Sequence, residues 1–174
     1  MDKISLLLTR HGETLENQRH ILQGQLPGTL SPLGKEQAKQ LAEKLRGEHL
    51  DAIVCSDLAR SYDTACTIAC EHGLEPLPTP LLREMDWGIY TGRSLEEVNW
   101  TQLPQGVESL EELYARAVRF VEFLKDRFCR QRVVAVGHGA FNRAIITCLR
   151  GGNPSDMTDL PIMKNAAITE LTIS

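Results

Sequence analysis

Two histidines in this sequence follow apolar runs and precede glycine: His11 in LTRHGET and His138 in VGHGA. Arg10 stands before the first, and Arg60 sits in the segment CSDLARS. Glu84 lies in LREMDWG. Arginine keeps its charge and presents a planar fork of donors matched to phosphate oxygens. Two guanidinium groups on one small site repel each other unless an anion lies between them. Gly12 and Gly139 let backbone approach a ligand closely, and the GHGA turn opens a helix whose first amides favour an anion. The chemistry this set suits is the capture of a phosphoryl group.

A reaction follows from the same groups. A neutral imidazole attacks phosphorus when its other ring nitrogen is held as a donor. One histidine would then carry the phosphoryl group between two transfers. The other, if cationic, would stabilise the equatorial oxygens together with the arginines. Cleaving an ester also requires a proton for the departing alkoxide, and Glu84 is the carboxyl suited to give it and to take one back from water. The residues by themselves leave open which histidine attacks. No step calls for a metal or an organic cofactor. The carboxylates Glu13, Asp57, Glu84 and Asp86 form no metal-ligand spacing, and neighbouring arginines oppose a divalent cation.

Periodicity and caps give the elements that must position these groups. Ile4 to Thr9 reads as a buried strand delivering Arg10 and His11. Ser31 and Pro32 open a helix with a stripe of Leu33, Ala38, Leu41, Ala42 and Leu45. Asp51 to Cys55 is a second strand, followed by a helix over Asp57 to Glu71 that faces Ala65, Ile68 and Ala69 inward and closes near Gly73. A Pro-rich stretch allows one edge strand around Leu81 and Leu82. Ser109 and Glu112 form a capping box for a long helix lined by Leu113, Ala117, Val121, Leu124 and Phe128. RVVAVGHG is a third strand and its turn, Ala140 to Leu149 a helix stopped at Gly151 and Gly152, and Ile168 to Ile173 a last strand.

Strands that are continuous apolar runs are covered on both faces. Their alternation with helices predicts an α/β class: a three-layer α/β/α sandwich with a mostly parallel central sheet. Ligands of such sheets sit beyond the carboxyl ends of the strands, and Arg10, His11, Arg60, Glu84 and His138 all follow strands on that edge.

A chain of 174 residues holds one well-buried core, so residues 1–174 are expected to form a single domain. The formal charge of −4 offers no basic field for nucleic acid or an anionic membrane. No apolar stretch reaches spanning length and no leader pattern opens the chain. Five cysteines without framework spacing, Cys55, Cys66, Cys70, Cys129 and Cys148, read as free thiols in a reducing cytoplasm. Cys66 and Cys70 are expected to pack as small buried hydrophobes.

LTRHGET, CSDLARSYDTA, LREMDWG and VGHG together resemble the histidine phosphatase superfamily, whose fold is phosphoglycerate mutase-like. QGQLPGTLSPLGKEQA and KNAAITEL extend the resemblance over nearly the whole chain. It implies a sheet of five or six strands, His11 as nucleophile, Glu84 as proton donor, and Arg10, Arg60 and His138 as the phosphate pocket. It places Asn17, Gln23 and Gly24 at the phosphate or substrate mouth. Gly28-Thr29, the GVES segment and Asn142 depart from the pattern of the superfamily. Mutases of this type carry a long insertion after the acid segment. Here only Met85 to Ser109 intervene, which favours a phosphatase that admits water. The expected partner is a small phosphorylated metabolite, and a homodimer stays open. A phosphoglycerate mutase, or a protein that binds phosphorylated ligands without turnover, are the alternatives. Trp87, Tyr90, Arg93 and Trp100 are candidates to shape the leaving-group pocket.

Overall fold

An apolar strand in the middle of a sheet needs cover on both faces, and that requirement organises this fold. The computed structural model describes residues 3–174; Met1 and Asp2, where the leader-free start was read, lie outside them. Strands β1 (Ile4–Arg10), β2 (Ala52–Ser56), β3 (Pro76–Thr79), β4 (Arg132–Gly137) and β5 (Ile168–Ile173) form one sheet in the order β3-β2-β4-β1-β5. All pairings are parallel except the last, β1 with β5. The helices are α1 (Leu15–Gln18), α2 (Pro32–Leu45), α3 (Ala59–His72), α4 (Leu110–Arg127) and α5 (Gly139–Leu149).

Alternate residues of the central strands enter two separate cores. Leu6, Leu8, Val54, Val133 and Ala135 pack with Leu113, Phe120 and Leu124 of α4 and Phe141 and Ile145 of α5. Leu7, Ile53, Cys55, Val134 and Val136 pack with Leu41 and Leu45 of α2 and Ala65 and Ile68 of α3. The chain is therefore the expected α/β/α sandwich with a mostly parallel sheet.

Local chemistry sets the helix ends. Ser31 accepts from the Gly34 amide at 3.0 Å, with Pro32 in the first turn. Ser109 and Glu112 cap α4 reciprocally. Gly73 closes α3 in the left-handed region.

Four local expectations need correction. Leu33 is 51% exposed, and Gly34 takes the buried place in the α2 stripe. A Cβ on Gly34 would lie 1.9 Å from the Glu13 carbonyl oxygen, so the helix start packs backbone to backbone against the loop behind β1. The edge strand is Pro76–Thr79, and Leu81 and Leu82 form a 3₁₀ turn. Pro76 and Pro78, two apart, both turn their missing N–H to the unpaired outer side of this edge. Helix α3 starts at Ala59, because Asp57 leaves the cap to pair with Arg83 at 2.7 Å. Finally, Cys55 is buried but Cys66 is half-buried and Cys70 exposed. Their helix presents only its Ala65, Ile68 and Ala69 face to the core.

Candidate active site

Parallel pairing places Arg10 opposite Gly137, so the next residues of both strands leave the sheet at the same level. Those residues are His11 and His138. Their ring centroids lie 5.2 Å apart, and the His11 amide donates to the Gly137 carbonyl at 3.2 Å. Tight backbone contact seals the floor behind them. A Cβ on Gly12 would lie 2.4 Å from the Gly34 carbonyl oxygen, and the Gly12 amide donates to Thr64 at 3.1 Å.

His11 is 2% exposed. Its Nδ1 lies 2.7 Å from the Gly12 carbonyl oxygen, which can only accept, so Nδ1 carries the proton. Nε2 then holds the lone pair, and Arg60 Nε donates to it at 3.2 Å. Burial, with Arg60 and Arg10 nearby, pushes the imidazole well below its ordinary value, so it is neutral. His138 is fully buried and pushed the same way, by burial first and then by the surrounding cations. Neither ring nitrogen of His138 has a hydrogen-bond partner among the described residues. Burial and the neighbouring cations thus disfavour the cationic state considered for the second histidine.

The two arginines are held differently. Arg60, 1% exposed, donates to the carbonyls of Gly24 at 2.8 Å, Pro27 at 3.3 Å, and Leu26. Burial lowers its pKa to about 10, against the attraction of Glu84, and it stays charged at neutral pH. Arg10 donates to the Met163 carbonyl at 2.8 Å, while its buried Nε has no partner. Gly139 makes room for it: a Cβ there would lie 3.5 Å from Arg10 Cζ and 2.8 Å from Ile162.

Glu84 occupies the position that sequence reasoning gave to a phosphate. Its carboxylate accepts from the Ala140 amide at 3.1 Å and the Phe141 amide at 3.0 Å, at the N-terminus of α5, and from its neighbour Met85 at 2.8 Å. A carboxylate satisfies these orphan amides as well as a phosphate oxygen would. The loop that carries it is clamped. Buried Arg116 donates to the carbonyls of Leu81 at 3.2 Å, Arg83 at 2.5 Å and Glu84 at 3.2 Å, and pairs with Glu108 at 2.8 Å. Its guanidinium also lies 4.2 Å over the Phe141 ring.

A cavity of about 650 Å³ opens at this edge. Arg10, His11, Asn17, Gln23, Gly24, Arg60, Glu84 and Gly139 line it. His138 is not among these lining residues; its ring lies beside that of His11, tilted by 59°. Trp87 and Trp100 border the cavity, packed edge to face at 5.6 Å, whereas Tyr90 and Arg93 do not. Tyr90 instead accepts from the Asn99 amide at 3.3 Å. Asn142 faces away too, tying α5 to β1 through the Thr9 carbonyl at 3.1 Å.

Sequence reasoning missed four contributors. Arg143, one turn into α5, borders the cavity with its Nε fixed on the Met157 carbonyl at 2.8 Å. Its spacing of four from Gly139 was the available signal. Thr64, Asn165 and Arg116 act through distant pairings that no local pattern announces; Asn165, for example, donates to the His11 carbonyl at 3.1 Å. Among the described residues, no group of three or more His, Cys, Asp or Glu is placed to hold a metal ion.

Residues 6–174 match the histidine phosphatase superfamily (branch 1). The chain belongs to that superfamily. It is 38% identical over 162 residues to phosphoserine phosphatase 1 of Hydrogenobacter thermophilus, covering 85% of this chain and 77% of the relative. Among solved structures, mycobacterial glucosyl-3-phosphoglycerate phosphatase superposes with a TM-score of 0.86 at 30% identity, covering 98% of this chain and 90% of that one. The α-ribazole phosphatase of Shigella flexneri does so with a TM-score of 0.86 at 25% identity, covering 95% and 89%. The sheet and its helices are phosphoglycerate mutase-like, and this histidine phosphatase is a phosphomonoesterase.

Proposed function

We propose that the protein hydrolyses a small phosphorylated metabolite in two transfers, with the phosphoryl group carried on His11. One observation carries the assignment: His11 alone of the two histidines has its tautomer fixed, with Nδ1 bound to the Gly12 carbonyl and Nε2 facing the cavity-lining Arg60. The Arg60 guanidinium donates to this lone pair at 3.2 Å. A phosphoryl oxygen is the stronger acceptor and draws that donor to itself, which frees Nε2.

Attack forms the Nε2–P bond and breaks the ester P–O bond. The imidazole becomes cationic, with its Nδ1–H still held by the Gly12 carbonyl. Glu84, which must enter the cycle as the neutral acid, gives its proton to the departing alkoxide. Water then yields a proton to Glu84 and its hydroxide attacks phosphorus, releasing phosphate and neutral His11. Arg10 and Arg60 bind the equatorial oxygens. His138, beside His11 with two unspent ring nitrogens, adds a donor once the dianion offsets the cations that disfavour its protonated form.

Free cysteines suit a reducing compartment such as the cytoplasm. The relatives are named as phosphatases of different phosphorylated compounds.

The test is phosphate release from p-nitrophenyl phosphate in EDTA. Turnover that survives chelation and is lost in His11→Ala supports the reading; turnover that depends on added metal contradicts it. Cofactor-stimulated conversion of 3-phosphoglycerate to 2-phosphoglycerate, faster than phosphate release, would make the protein a mutase instead.

A further inference from the structure

We propose that the natural leaving group is a bulky apolar or aromatic alcohol seated against Trp87 and Trp100, rather than an amino acid. This rests on the phosphatase reading and specifies its substrate class. The cavity of about 650 Å³ is the size that encloses a ligand much larger than a phosphoryl group. Its apolar lining includes Ile21, Leu22, Leu95, Leu103 and Leu110 with the two tryptophans, while Ile162 stands beside Gly139 and Arg10.

Much of this wall is apolar surface open to solvent. Among the described residues eight large hydrophobics are exposed, and four of them, Leu95, Trp100, Leu103 and Ile162, border this one cavity. Exposed apolar side chains scattered singly need no explanation, but a cluster on the rim of a cavity marks a binding surface. The wall also adjoins the phosphoryl end. A Cβ on Gly24 would lie 3.4 Å from Trp87, and the Gly24 carbonyl holds Arg60. An ester anchored on His11 and the arginines therefore projects its alcohol toward the indoles.

The charges point the same way. A phosphoserine ammonium is held most strongly by an acidic partner. Glu84 is the one acidic side chain that borders the cavity among the described residues, and its oxygens already accept three backbone amides. Arg10, Arg60 and Arg143 border the same space and repel a second cation.

Primary alkyl phosphates from ethyl to hexyl test this, because their leaving groups differ little in basicity. If each added methylene is about half removed from water, kcat/KM rises about twofold per methylene, roughly 15-fold over the series. Trp100→Ala combined with Leu103→Ser should flatten that slope. O-phosphoserine should be hydrolysed at least about tenfold less efficiently than hexyl phosphate, as expected when a charged group meets an apolar wall. A flat series in the native enzyme, or a preference for phosphoserine, overturns the inference while p-nitrophenyl phosphate turnover keeps the phosphatase reading standing. No turnover of any ester overturns both.

Discussion

Arg60 is asked to do two jobs, and Arg60→Ala separates them by magnitude. The side chain donates to three carbonyls of the segment from Gly24 to Pro27 and to Nε2 of His11. Removing the guanidinium deletes one preorganised donor facing the phosphoryl group, worth about 3 kcal/mol in the transition state. At 1.36 kcal/mol per tenfold, kcat/KM should fall about 150-fold. The same change leaves three carbonyls without their donor. Each costs about 1 kcal/mol where water reaches the cavity side, for a loss near 3 kcal/mol of stability. With a urea dependence of about 2 kcal/mol per molar, the unfolding midpoint should drop by about 1.5 M. The assays are steady-state hydrolysis of p-nitrophenyl phosphate and urea unfolding followed by tryptophan fluorescence. Lys at this position restores charge but not the fork, so it should recover only part of either loss. A folded Arg60→Ala protein with near-native kcat/KM would refute the role given to the guanidinium. An unchanged midpoint would refute the clamp.

Three further outcomes are expected. Glu84→Gln should slow alkyl phosphates at least tenfold more than nitrophenyl phosphate, since only the poor leaving group needs the proton; equal slowing would remove Glu84 from that step. Rapidly quenched enzyme should carry acid-labile, alkali-stable phosphate on His11, read by mass spectrometry of peptides kept at high pH, and acid-stable phosphate on a serine would name a different nucleophile. Stability should fall as pH drops from about 6.5 to 5. His11 and His138 are held neutral in the fold, so the unfolded chain binds more protons throughout that window. The slope contributed by each is at most about 1.4 kcal/mol per pH unit. A urea midpoint that stays level over that range, or the same slope in His138→Asn, would contradict the buried neutral pair.

Sequence alone determined that Arg10, His11, Arg60, Glu84 and His138 follow strands at one edge of the sheet, while Arg143 escaped it. Apolar runs ending in Arg10-His11 and Gly137-His138 specify buried parallel strands, and ligand groups follow the carboxyl ends of such strands whatever the rest of the chain does. Capping residues such as Ser31 and Ser109 likewise mark their helices through bonds spanning three residues. Tertiary structure decided what each group is bonded to. That Arg60 donates to Nε2 of His11, that Glu84 takes the first amides of α5, and that Arg116 fixes the acid loop all depend on contacts between distant segments. The exposure of Leu33 and the burial of Gly34 have the same origin, because the spacing of apolar residues says nothing about where two backbones must touch. Local patterns record the chain's own periodicity; the charge of His11 and the partner of its Nε2 are set by burial and by Arg60, 49 residues away.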